Sequence, residues 1–167
     1  MTTVSFSQLT SFSPSQRQRA ETIRQLLEAG LNAPAFQHAV LHAAFLDVRL
    51  EKPDGVEVTN LSNAQILSVV LTGEESGTAA DGNLSLRVEL YHRLFSSAIG
   101  YTDDDGVIHT REGFFNTAAP VEVAGHWLHE WSHTAGFRHD YERTSRRDQS
   151  VPYLLGELLI AAIAPAA

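Results

Sequence analysis

At 167 residues and 18.3 kDa, with 43% hydrophobic and 19% charged residues, the chain has the size and apolar content of one globular domain, residues 1–167, with no room for a second. Twelve Lys and Arg against twenty Asp and Glu give a net charge of -8, which repels a phosphate backbone and argues against nucleic acid as a partner. The absence of Cys excludes disulfides, thiolate ligands and Cys nucleophiles, so any metal must be held by His and carboxylates.

The first twenty residues have neither the basic start nor the apolar run of a Sec signal peptide. Ser13-Pro14-Ser15-Gln16 predicts a helix start, in which Ser13 caps, Pro14 takes the first helical position and Gln16 reaches back. Ala20, Ile23 and Leu27 then recur on one face until Gly30, where the helix is expected to end. A second helix is predicted from Pro34 to about residue 48 on the spacing of Phe36, Val40, Ala44 and Val48, before Lys52-Pro53-Asp54-Gly55 breaks it. A third covers residues 62–71 and closes at Gly73.

Residues 74–83, rich in small and acidic side chains, read as a linker within the domain. Leu84, Leu86, Val88 and Leu90 alternate with polar residues, the period of a half-buried strand. A hairpin follows, with residues 99–101 and 107–110 flanking Asp103-Asp104-Asp105-Gly106; Asp-Gly is its turn signal. One long helix is expected over residues 120–135, left at Gly136, with Trp127 and Trp131 as core anchors. Residues 138–149 have no periodicity and read as loop, with Arg143, Arg146 and Arg147 solvated, and residues 153–163 as a terminal apolar helix. The longest apolar run, Ile160 to Ala164, is far below the roughly 18 residues a membrane span needs. Cytoplasm is the default location, with signal-independent export as the other route. The expected fold class is α+β, with a helical N-terminal half, a small central sheet or hairpin, the long helix and a C-terminal helix.

Residues 129–140 read His-Glu-Trp-Ser-His-Thr-Ala-Gly-Phe-Arg-His-Asp. His129 and His133 are four apart on the predicted long helix, so two imidazoles project from one face and can share a metal. Glu130 falls beside such a metal rather than among its ligands, where a carboxylate can take a proton from metal-bound water. Gly136 lets the chain turn sharply, so that His139 comes back as a third ligand. Three imidazoles leave one tetrahedral position open, as in a catalytic zinc site. The His-Glu-x-x-His pattern alone arises by chance in roughly 3% of chains of this composition, but adding Gly136, His139 and Asp140 lowers that to a few in a million.

This stretch resembles, letter for letter, the HExxHxxGxxHD motif of the metzincin zinc peptidases. The resemblance implies that His129, His133 and His139 bind zinc, that Glu130 is general base and then acid, and that Asp140 braces the lower half of the site. It also implies a zincin-like fold whose upper half is a mixed sheet of about five strands. The family carries a Met in a tight turn beneath the zinc. The only Met here is Met1, and Ser150-Val151-Pro152-Tyr153 resembles that turn with Pro152 in the Met position, which marks a divergent or minimal member. Tyr153, one position early for the family's Tyr, is the candidate to stabilise the developing oxyanion; Tyr141 is a weaker one.

The expected activity is a zinc-dependent endopeptidase acting on a peptide or protein, which would lie along an edge strand at residues 107–111. A zinc-dependent hydrolase of a non-peptide or cell-wall amide, or an inactive zinc-bearing binding module, remain alternatives. Glu157, 24 positions after His133, is a rival third ligand. His38 and His42 repeat the four-residue spacing without an adjacent Glu, and His126 is expected either at the rim of the site or hydrogen-bonded within the domain.

Overall fold

The computed structural model describes residues 1–76, 78–93 and 98–163. Gly77 of the predicted linker and Ala164 of the longest apolar run lie outside the described residues. The architecture is α+β. No helix among the described residues is long and apolar enough to cross a membrane.

The chain opens with a strand, β1 (Thr3–Thr10), so the amino-terminal half is not purely helical as expected. Val4 is buried, but the register against its neighbour shifts between Phe6 and Gln8. This bulge puts Leu9 out of phase with Val4 and Phe6, and the period-2 signal of the strand is lost. Helix α1 (Pro14–Leu31) starts as predicted, with Ser13 and Gln16 forming a reciprocal capping box. It runs past Gly30, which stays helical because Leu159 and Ile163 pack directly against it.

Helix α2 (Pro34–Leu41) ends seven residues short of the expected 48. Asn63 Nδ2 donates to the carbonyls of Leu41 and Ala43, satisfying the chain end there. The residues beyond turn extended and lead into β2 (Arg49–Glu51), which forms a hairpin with β3 (Glu57–Val58) around the Lys52–Gly55 turn. Helix α3 (Asn63–Thr72) lies within one residue of the predicted span; Ser62 is its cap rather than its first residue, and it closes at the left-handed Gly73 that the sequence signals.

Strand β4 (Asn83–Tyr91) buries Leu84, Leu86, Val88 and Leu90, the alternation read from sequence. It lies parallel between β1 and β6 (Ile108–Arg111), and β5 (Gly100–Thr102) closes the sheet antiparallel to β6, in the order β1-β4-β6-β5. Residues 107–111 are therefore interior, and β5 is the edge strand, which corrects the expected substrate edge. Hairpin periodicity makes both arms look alike; only pairing with β4, over a separation that leaves no local pattern, decides which one is covered.

A short helix, α4 (Glu112–Thr117), precedes the long α5 (Pro120–Thr134), whose ends match the prediction. Trp127 and Trp131 are fully buried, and Phe6 meets Trp127 edge-on at 5.6 Å. Strand β7 (Phe137–Arg138) pairs with β2, forming a second sheet, β3-β2-β7, absent from the sequence expectation. The predicted loop at 138–149 also contains one helical turn, α6 (Ser145–Asp148), and α7 (Val151–Ile163) packs antiparallel along α5. Gly125 and Gly156 meet so closely that a Cβ on either would stand 2.8 Å from the other's carbonyl oxygen. This contact draws the amino-terminal end of α7 against the middle of α5.

Candidate metal centre

His129 and His133 leave α5 on one face because four residues make just over one helical turn. The helix stops at Gly136, whose φ of 102° is costly for any side chain and whose Cβ would stand 2.4 Å from the Glu51 carbonyl oxygen. Gly136→Ala is expected to destabilise the fold by about 1–3 kcal/mol, read as a lowered denaturant midpoint. Beyond it, β7 aligns with β2 and returns His139 beneath the helix.

The ring centroids lie 5.2 Å apart for His129 and His133, 5.3 Å for His129 and His139, and 4.8 Å for His133 and His139. One nitrogen from each ring lies within 4.8 Å of the others, so the three can hold a metal ion. The donor chemistry fits. His133 Nδ1 donates to the Phe137 carbonyl at 2.8 Å and His139 Nδ1 to that of Asp140 at 2.9 Å, since a carbonyl can only accept. Both rings are thereby held in the tautomer that leaves Nε2 as a free lone pair, as a ligand needs. Burial also favours neutral imidazoles: His133 is lowered from 6.5 to about 4, His129 is held well below its ordinary range, and His139 is lowered, burial being the first cause in each. Among the described residues no other cluster of this kind occurs. Glu157 stands exposed on α7 and does not join the cluster.

Glu130 is only 5% exposed. Its Oε2 accepts from Thr102 Oγ1 at 2.9 Å, and His126 Nδ1 stands 3.6 Å from its Oε1. Burial raises the carboxyl from 4.5 to about 7, against the lowering effect of the Thr102 bond. His126 is buried beneath Gly100, its ring edge-on to Phe114 and its Nε2 3.4 Å from Thr110 Oγ1, so it is an interior group rather than a rim residue. Its burial lowers it to about 3, which keeps it neutral.

Asp140 accepts from Arg49 at 2.8 Å, and Arg49 also grips Asp47, which is fully buried. This links the third His to β2. Tyr153, in the first turn of α7, sets its ring edge-on to His129 at 4.5 Å and 5.0 Å from His139, and its hydroxyl accepts from Arg147. Burial raises the phenol above its ordinary value, so it stays protonated. Tyr141 is 99% exposed. His38 and His42 form an exposed ring pair 4.1 Å apart, with His42 Nδ1 bonded to the His38 carbonyl.

Sequence reasoning missed Thr102, Arg49 and Arg147. Arg146 and Arg147 are not simply solvated: Arg146 approaches Asp47 at 3.5 Å, and Arg147 packs its guanidinium 4.9 Å from the centre of the Tyr153 ring. The His cluster and Glu130 open into a cleft of about 570 Å³ walled by β5 and the Asp103–Gly106 turn on one side and by Arg147 and Tyr153 on the other. No protein-family model, curated protein or solved structure matches the chain.

Proposed function

We propose that the chain is a zinc-dependent endopeptidase of metzincin-like, divergent type. The observation that carries this reading is the buried Glu130, its carboxyl raised to about 7, next to three imidazoles, two of them held with Nε2 free, on the wall of an open cleft. A purely structural metal site has no use for that carboxylate. Zinc, when bound, supplies a Lewis acid that polarises a scissile carbonyl and acidifies water. The sheet, with three parallel strands and an antiparallel edge strand above α5, supports a zincin-like arrangement smaller than the five-stranded form.

Among the described residues strand β5 has no partner on its outer edge, and an extended peptide can add there through main-chain hydrogen bonds. Glu130 takes a proton from the attacking water and returns it to the leaving amine; a carboxyl poised near 7 is matched to both transfers. Thr102, on β5, holds the Oε2 end of that carboxylate, so the strand that receives the substrate also orients the base. Arg147 donates to the Tyr153 oxygen, which leaves the phenol's own proton to donate toward the oxyanion that develops at the carbonyl.

The test is mass-spectrometric cleavage of an unbiased peptide library by the zinc-loaded protein, with zinc-loaded Glu130→Ala as control. Cuts made only by the wild type are the expected result. If neither protein cuts a peptide, the endopeptidase reading fails and the binding-module alternative takes its place.

A further inference from the structure

A second cavity, of about 710 Å³, continues from the metal centre between α5 and α7. Its walls include Phe114, Gly125, His126, Gly156 and Ile160, and Arg147 stands where it joins the His cluster. At its middle Gly125 and Gly156 bring no side chain of their own, and the Ile160 side chain packs onto Gly125.

Arg147 is the unusual wall residue. Among the described residues no carboxylate lies within ion-pair distance of it; its recorded partner is the neutral Tyr153 hydroxyl. Its Nε is shielded from solvent and has no hydrogen-bond partner. In a chain of net charge -8, Arg147 makes no ion pair among the described residues although Asp148 adjoins it, so beside holding Tyr153 its charge is available to an incoming anion. Its planar fork matches a carboxylate, which accepts two parallel N–H bonds. The carboxylates that line the cavity are Asp148, next to Arg147 in the chain, Glu130 at the metal centre, and Glu122 and Glu157 further along, Glu157 one helical turn past Tyr153 and Glu122 two turns before His129. An incoming anion meets the guanidiniums of Arg143 and Arg147 and is repelled beyond them by Glu122 and Glu157.

The orientation of the substrate fixes the position. Along α5, Gly100 lies over His126, Thr102 over Glu130 and Gly106 against Thr134. A peptide adding antiparallel to β5, the more stable mode of pairing, runs from the Asp103 side toward Gly100. Residues following the scissile bond then enter the cavity beside Arg147. We infer that Arg147 selects a substrate carboxylate on the residue immediately after the scissile bond, either an Asp or Glu side chain or the free carboxylate of a terminal residue. This rests on the endopeptidase reading, which supplies the scissile bond.

The experiment is calorimetric titration of the zinc-loaded Glu130→Gln protein, which holds substrate without turning it over. The probes are four versions of one pentapeptide: Glu or Gln after the test bond with an amidated terminus, and a version truncated to end at that Gln, as free acid or amide. The Glu peptide, the truncated acid or both are expected to bind about tenfold more tightly than their neutral counterparts, the first ratio reporting a side-chain carboxylate and the second a terminal one. Adding Arg147→Gln should bring both ratios to about one, whereas Arg147→Lys should keep part of the preference. Equal binding of all four peptides, or a preference that survives Arg147→Gln, overturns the inference. Library cleavage separates the two readings: cuts without an acidic preference sink the carboxylate site alone, and Arg147-dependent carboxylate binding without cuts sinks the peptidase alone.

Discussion

Glu130→Gln is expected to abolish peptide hydrolysis, by about 10³-fold or more, while making the metal-free protein more stable above pH 7. The folded-state carboxyl has its pKa raised from 4.5 to about 7 by burial. The folded chain therefore keeps a proton that the unfolded chain has already released, and the stability this contributes is fully present below pH 4.5 and lost as pH rises through 7. Above pH 7 the wild type bears a buried charge at a cost of the order of 3 kcal/mol, and the neutral amide does not. Melting temperatures at pH 5 and pH 8.5 check this. The variant's advantage should be several degrees at the higher pH and near zero at the lower one, since a chain of this size shifts by roughly 2–4 °C per kcal/mol. In the zinc-loaded proteins the gap should narrow, because a divalent cation beside the carboxylate offsets its charge. Equal melting temperatures of the metal-free proteins at pH 8.5 would show that Glu130 is not held in a dry, charge-averse setting.

His139→Ala is expected to lower zinc affinity by about 10²- to 10³-fold, the share of one ligand in a site of this class, with hydrolysis lost in proportion. Glu157→Ala should change neither, because Glu157 stands outside the cluster. Competition against a chromophoric chelator reads both constants. The comparison separates two ways of completing a His-Glu-x-x-His pair, and a collapse of affinity in Glu157→Ala with retention in His139→Ala would reverse the ligand assignment. His139 is partly exposed and makes its Nδ1 bond to the adjacent Asp140 carbonyl, so the fold should survive its removal.

What could be read from the sequence follows the range of the interactions involved. Ser13 with Gln16, Gly73 and Asp105-Gly106 act within a few residues, and each marks its boundary where the structure has it. The helical pair His129 and His133, the flanking Glu130 and the turn at Gly136 belong to the same local grammar. The elements that escaped are held from a distance. The bulge in β1 is set by pairing with β4, and the early end of α2 by Asn63. The second sheet exists because Arg49 and Leu50 find Arg138 and Phe137. Thr102 and Arg147 have no motif of their own, and only the approach of β5 and α7 to α5 makes them neighbours of the His cluster. The arginines of α6 read as solvated since local charge spacing says nothing of a buried Asp47 or of an aromatic ring in the first turn of α7.

The return of His139 under the helix through β7 also bears on when the centre comes into being. His129 and His133 are set as soon as one turn of α5 forms, an event of the microsecond scale or faster. His139 takes its place only when β7 has aligned with β2, a strand from the first third of the chain, and non-local pairings of this kind form late. A newly made chain thus carries a two-imidazole chelate long before it carries three donors and a sheltered base. The proposed hydrolytic site would therefore be complete only once the body of the protein has closed around it.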